Sequence, residues 1–212
     1  MAEKATVEAV KKALETSKQR KFEESIELAI NLKDVDLTVP KNRIEEDVIL
    51  PKGRGRQVKV AIFASGDLAF KAKSVADLIV TPEEIEKLAG DKRKAKTMAR
   101  NFDFFIAEAP MMPTIGKRLG VFLGPKGKMP RPVPVTIDPA NIIAALRNTI
   151  RVRTKDKKTF HTPVGTRKMS PEDIADNIDA VLKRLFEKLE KGKLNVRSIY
   201  VKTTMGPSAR LM

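Results

Sequence analysis

Two kinds of apolar pattern share this chain, and their order restricts the fold more than any single motif. Near the N-terminus Ile26, Leu28, Ile30 and Leu32 alternate with Glu27, Ala29, Asn31 and Lys33, the period-two signature of a strand with one buried and one wet face. From Gln57 the texture changes. Val58 to Ala64 is an apolar strand of the kind that helices cover on both faces. After Asn148 alternation returns, with Ile150, Val152 and Thr154 set against Arg151, Arg153 and Lys155. A pattern that leaves and comes back predicts an α+β domain of antiparallel strands formed by both chain ends, residues 1–56 and 150–212, with an α/β domain inserted at 57–149. A length of 212 residues, at about 150 per domain, leaves room for one to two domains.

The punctuation agrees with that division. Residues 1–18 read as an amphipathic helix carrying Val7, Val10 and Leu14 on one face. A second extended stretch, Ile44 to Leu50, runs into Pro51-Lys-Gly-Arg-Gly-Arg56, which has the composition of a linker. Within the insert, short strands at Asp77–Val80 and Asp103–Ala107 alternate with helices. One helix opens at Thr81-Pro82-Glu83-Glu84 with a cap, a first-turn proline and a capping-box glutamate; another opens at Asp138-Pro139 and runs to about Asn148. Asp156-Lys157-Lys158 is expected to turn the chain into a strand over Thr159–Val164. Ser170-Pro171-Glu172-Asp173 then caps the longest helix, whose apolar face runs from Ile174 to Leu189 and which Gly192 stops. A last strand, Val196–Thr203, leads into Thr204-Met205-Gly206-Pro207.

Charge narrows the partners. Lys and Arg number 42 against 27 Asp and Glu, a net +15, and an excess of that size favours polyanions. Segment 1–56 is close to neutral, so the excess lies in the insert and the C-terminal segment. There is no Cys and one His, which excludes disulfides, thiol nucleophiles and a zinc cage within one chain. The longest apolar run, Val60 to Ala64, falls far short of the roughly 18 residues needed to span a bilayer. The start Met1-Ala-Glu-Lys-Ala-Thr lacks the apolar core of a signal peptide, so a soluble intracellular protein with no membrane partner is expected.

Several motifs carry two readings. Gly124-Pro-Lys-Gly-Lys-Met-Pro130 suggests a phosphate loop, but Phe122 and Met129 stand where a P-loop needs glycine and a hydroxyl. Gly53-Arg54-Gly55 lacks the third glycine of a dinucleotide fingerprint. With neither loop complete, no cofactor is expected, and an RNA-modifying enzyme holding a nucleotide cofactor in the insert is the weaker alternative. Lys126, Lys128 and Arg131 would either meet an anion or belong to a structural turn. The basic run Asp91-Lys-Arg-Lys-Ala-Lys96 fits a solvated helix face better than a phosphate contact. Arg151, Arg153 and Lys155 share one strand face and repel one another unless a polyanion or an acidic partner lies across them. Glu45-Glu46-Asp47 reads as a solvated strand end. His161 has no nucleophile or orienting carboxylate nearby in sequence and reads as a hydrogen-bonding structural residue. Aromatic content alone places Phe22 in the core. Thr203 to Pro207, with two hydroxyls, a Met and a Gly, either ends a strand or allows close approach to ribose and base.

Lys21-Phe-Glu-Glu-Ser-Ile-Glu27, Gly124-Pro-Lys-Gly-Lys-Met-Pro130, Phe160-His-Thr-Pro-Val-Gly165 and Ser198-Ile-Tyr-Val-Lys-Thr-Thr-Met-Gly-Pro207 together resemble the family of large-subunit ribosomal protein one, the mobile-stalk protein beside the tRNA exit site. The resemblance covers essentially the whole chain, and Arg131-Pro-Val-Pro134 is similar to its archaeal branch. It implies a non-enzymatic protein of the cytoplasmic ribosome, monomeric when free, with a Rossmann-like insert. Its rRNA-binding face on the end-built domain would comprise Lys21, Phe22, Glu27, Ser198, Thr204, Met205 and Gly206. Arg151, Arg153, Lys126 and Lys128 would be secondary contacts. The partners it implies are large-subunit rRNA, the chain's own mRNA through translational repression, and exit-site tRNA, whose release the stalk assists.

Overall fold

The computed structural model describes residues 4–134, 137–154 and 157–212. Residues 1–3 of the expected first helix, Lys155 of the cationic strand face and Asp156 of the expected turn lie outside the described residues. In chain order the elements are α1 (Lys4–Glu15), β1 (Ser25–Leu32), β2 (Glu45–Ile49), β3 (Val60–Phe63), α2 (Gly66–Ala72), β4 (Leu78–Val80), α3 (Pro82–Gly90), α4 (Lys92–Asn101), β5 (Phe104–Glu108) and α5 (Met112–Leu123). They continue with β6 (Arg131–Val133), α6 (Pro139–Arg147), β7 (Thr149–Arg153), β8 (Thr159–Thr166), α7 (Pro171–Lys188), β9 (Val196–Thr203) and β10 (Ser208–Arg210). The chain divides into two compact units, Met1–Arg56 with Asn148–Met212, and Gln57–Arg147.

In the end-built unit four strands form an antiparallel sheet in the order β10-β9-β1-β8, and β2 pairs with β7 as a separate ribbon. Burial alternates strictly along β1 because only one sheet face is packed. Ile26, Leu28, Ile30, Phe160, Ile199 and Val201 join Val10 and Ala13 of α1 and the Ile174, Ile178, Val181 and Leu185 stripe of α7 in one core. The stripe is spaced as a helix needs to bury one face, and Ser170 starts it by accepting the Asp173 N–H at 3.1 Å. The opposite sheet face carries Glu27, Lys202 and Pro163 in one cross-strand row and Ala29, Tyr200 and His161 in the next. Asn31, Ser198 and Thr159 form a third row. Two β-bulges, at Ile26/Glu27 against β8 and Asn31/Leu32 against β9, interrupt the register.

The inserted unit is a parallel sheet ordered β4-β3-β5-β6. All four residues of β3 and all five of β5 are buried, because helices cover both faces. Ala61, Phe63 and Phe105 pack with Ile85, Met98, Ile115 and Leu119 on one side. Val60, Ile62 and Ile106 pack with Leu68, Ile143 and Leu146 on the other. Two short strands were not anticipated in the sequence, and both are sheet edges: Ser208–Arg210 is β10 in the end-built unit, and Arg131-Pro-Val133 is β6 here. Proline lacks an N–H and is tolerated at an edge, where the ladder has no second neighbour to supply.

Candidate nucleic-acid interface

The open face of the β10-β9-β1-β8 sheet and the two loops at its end gather the residues singled out in the sequence. Lys21 and Phe22 lie in the segment joining α1 to β1, and Thr204, Met205 and Gly206 form the turn joining β9 to β10. Phe22 is 54% exposed and Met205 59% exposed, so the core placement of Phe22 by aromatic content is corrected. An exposed Phe and an exposed Met on short segments offer apolar surface that the core does not use.

The hydroxyls of this face have fixed polarity. The Thr204 Oγ1–H donates to the Ser25 carbonyl at 3.1 Å, and the Thr204 N–H donates to the same oxygen at 3.0 Å. With its proton committed, Thr204 presents lone pairs and acts outward as an acceptor. Ser198 is only 8% exposed and accepts from Asn31 Nδ2 at 2.8 Å, while Thr159 Oγ1–H donates to Asn31 Oδ1 at 2.8 Å. Ser198 thus keeps a hydroxyl proton to donate. Glu27 stands half-buried beside Lys202 in the cross-strand register, where its carboxylate can accept from a base amino group or a ribose hydroxyl but would repel a phosphate.

Gly206 is demanded by its surroundings. A Cβ there would run into Thr203 Oγ1 and come 3.0 Å from Ser17 Cβ. The turn is further closed by Gly206 N–H donating to Thr203 O at 3.2 Å and Lys202 Nζ donating to Thr204 O at 3.2 Å.

Three of the four secondary candidates, Arg151, Arg153 and Lys128, are engaged within the protein. Arg151 bonds Asp47 at 3.2 Å and Arg153 bonds Glu45 at 3.0 Å across the β2–β7 ribbon. The acidic partners that the cationic strand face called for are therefore Glu45 and Asp47, so Glu45-Glu46-Asp47 is not a mere solvated strand end. Glu46 takes Lys188 at 3.1 Å and Arg184 at 3.0 Å from α7, and these bonds, Lys188 first, hold its carboxyl below the usual carboxylate range.

The Gly-Pro-Lys-Gly-Lys-Met-Pro loop caps a helix. Gly127 at φ +65° donates its N–H to Gly124 O at 2.8 Å, and the Lys128 N–H reaches back to Leu123 O at 3.0 Å, the bond pair of a Schellman motif ending α5. The Lys128 ammonium then donates to Ala99 O at 3.2 Å and Phe102 O at 2.6 Å at the end of α4, where the helix dipole favours a cation. Lys126 remains exposed, within 3.5 Å of Lys96 O. The basic run before it is the solvated face of α4, capped by Asp91, which accepts from the Arg93 and Lys94 N–H groups.

Sequence reasoning passed over Tyr200, Lys202 and Arg210, because only the strand register shows that they share the face of Glu27. Sequence reasoning read His161, which is exposed on that same face, as a hydrogen-bonding structural residue. It also passed over Glu24, Arg167 and Ser17, which lie beneath the two loops. Among the described residues no helix is long and apolar enough to cross a membrane.

The model of the ribosomal protein L1p/L10e family matches residues 11–207. The large ribosomal subunit protein uL1 of Methanocella arvoryzae is 56% identical, with the match covering 100% of both chains. Its counterpart in Methanosarcina barkeri is 51% identical over the same full extent. That of Thermoplasma volcanium is 54% identical over 97% of this chain and 93% of its own. The chain belongs to the ribosomal protein L1p/L10e family. Within it, the full-length likeness to these proteins makes it an archaeal-type, large-subunit member. The relatives are named as ribosomal proteins and not as enzymes, which sets aside the RNA-modifying alternative.

Proposed function

We propose that the end-built unit binds large-subunit rRNA through the open sheet face and its two end loops, with Lys21, Phe22, Glu27, Ser198, Thr204, Met205 and Gly206 as contacts. The observation that carries this reading is the coincidence, at the end of an open polar sheet face where β1 begins and β9 ends, of an exposed Phe and an exposed Met with the accepting Thr204 hydroxyl, while the donating Ser198 hydroxyl lies further along the same face beside Asn31. RNA differs from other polyanions in offering ribose hydroxyls and unstacked bases, and a face of hydroxyls, a carboxylate and soft apolar groups reads those features while phosphates would be met by cations alone. Lys21 supplies charge beside it, as do Lys202 and Arg210 on the face itself.

The same face would take a similar RNA element in the chain's own message, so that free protein represses its further synthesis. Placed on the stalk rRNA, it would stand beside exit-site tRNA and assist its release. Binding of the full chain to a transcribed stalk fragment of large-subunit rRNA tests the reading. The expected result is a 1:1 complex whose log affinity falls with log salt by several units, at about 0.7–0.9 per phosphate neutralised, and which the leader of its own message competes away. A salt slope near zero, or equal affinity for an unrelated hairpin of the same length, contradicts it.

A further inference from the structure

Beneath the two loops lies a carboxylate that the interface itself does not expose. Glu24 is 1% exposed and directly precedes β1. Its Oε1 accepts the backbone N–H of Met205 at 3.2 Å and stands 3.6 Å from Arg20 Nε. Its Oε2 accepts from Arg167 Nη1 at 3.2 Å and from Ser17 Oγ at 3.4 Å. Arg167 also donates to the carbonyls of Ser17 at 3.0 Å and Lys18 at 3.1 Å, so the end of β8, the tail of α1 and the Phe22 segment share one guanidinium. Ser17 Oγ lies 3.0 Å from Thr203 Oγ1, and Arg20 Nη2 donates to Met205 O at 3.5 Å. Both backbone polar groups of Met205 are therefore held while its side chain is offered to solvent.

A buried charge costs several kcal/mol to desolvate unless it is paired and hydrogen-bonded, so it persists only where its partners satisfy it. Simple closure of a β9–β10 turn needs no such group, since Gly206 N–H and Lys202 already close it. Beyond the Thr204 bonds to the Ser25 carbonyl, what Glu24 adds is a direct hold on Met205 itself from a residue 181 positions away in sequence. We infer that Glu24, backed by Arg167 and Ser17, is a positioning residue that fixes the Met205 turn against the Lys21–Phe22 segment in the geometry that RNA requires, so that the interface is ordered before binding. Preorganised groups bind more tightly because less ordering entropy is lost on association. This inference rests on the RNA-binding reading proposed above.

In Glu24→Gln the carboxamide is nearly isosteric, but its NH2 must face either Arg167 or the Met205 N–H, donor against donor. The test is equilibrium binding of the full chain to the rRNA stalk fragment over a series of salt concentrations, with Glu24→Gln, Met205→Ala, Thr204→Ala and the Glu24→Gln/Met205→Ala double variant, and polyuridylate as the nonspecific probe. Glu24→Gln is expected to weaken the fragment about tenfold, the scale of one charge-assisted hydrogen bond, with polyuridylate affinity and salt slope unchanged. In the Met205→Ala background the same substitution should cost little more, because the group it positions is gone. Losses that multiply in the double variant, or wild-type affinity in Glu24→Gln, overturn the inference. If Glu24→Gln does not fold, Ser17→Ala removes an uncharged link of the same network. It should show a smaller loss that also vanishes with Met205→Ala, and a loss that persists there overturns the inference. Wild-type affinity in both Met205→Ala and Thr204→Ala would overturn the RNA-face reading itself and the positioning role with it. A loss in those two without one in Glu24→Gln overturns the positioning role alone.

Discussion

The two units solve the problem of covering a sheet in opposite ways. In the insert, helices lie on both faces, and the strands are apolar throughout because every position meets a core. In the end-built unit, α1 and α7 cover one face, and the other carries Glu27, Asn31, Tyr200, His161 and Lys202. A sheet sealed on both sides leaves a ligand only its loops and helix surfaces. A sheet covered on one side keeps a rigid polar platform whose side chains stand at fixed spacing. The proposed division of labour follows: recognition by the end-built unit, and bulk and charge from the insert.

The largest expected effect tests that division outright. A chain in which Arg56 is joined to Asn148 should keep most of its specific affinity for the rRNA stalk fragment, whereas the insert alone, residues 57–147, should bind it no better than polyuridylate. Gel-shift titration at matched salt measures both, and specific binding by the insert alone would break the comparison.

Next come the cores, which are separate and should fail separately. Leu28→Ala should destabilise the end-built unit by about 2–5 kcal/mol and Phe105→Ala the insert by about 3–5 kcal/mol. Both side chains are almost wholly buried. Calorimetry of each variant should move one transition and leave the other in place; a single transition shifted by both would show the units to be thermodynamically one.

A smaller effect sharpens the site. Thr204→Ala removes an outward acceptor and an internal bond to Ser25 together, so it should lose about 0.5–1.5 kcal/mol of RNA affinity and a comparable amount of stability. A lowered melting temperature with unchanged affinity would return the turn to an ordinary strand end. Met205→Asp should cost more affinity than Thr204→Ala at little stability cost, since its side chain is exposed in the free protein.

The smallest effects concern charges already spent. Arg153→Gln should leave rRNA affinity nearly unchanged, because Arg153 faces Glu45 within the ribbon. Glu46, whose folded carboxyl is depressed by Lys188 and Arg184, contributes stability that is full above the ordinary value of 4.5 and is lost as pH falls from there through the depressed value. Acid titration of the melting temperature should show a shallower fall for Glu46→Gln than for the natural chain.

Much of this organisation could be read from residues alone, and the exceptions have physical causes. Alternation in β1 and the unbroken run of β3 announced the two kinds of sheet, because periodicity is written by burial. The helix caps at Thr81 and Ser170 were legible because a cap is a local bond between neighbours in sequence. What was not legible is long-range and polar. Nothing near Arg151 signals that Asp47 lies opposite, and Glu24 beside Glu23 looks like a surface pair until the fold brings Arg167 and Met205 to it. Lys128 resembled an anion contact because a capping ammonium and a phosphate-binding one differ only in which carbonyls the fold places nearby. Phe22 escaped a reading from composition because its exposure is a property of the loop that carries it.

Lysine footprinting of the full chain, free and bound to the rRNA stalk fragment, sets the two units against each other in a single experiment. The reactivity of each ammonium towards an acylating reagent reports whether RNA covers it. Lys21 and Lys202 should become shielded on binding, while Lys92, Lys94 and Lys96 on the solvated face of α4 stay reactive. Shielding of the α4 lysines with Lys21 and Lys202 left reactive would contradict the placement of recognition on the open sheet face.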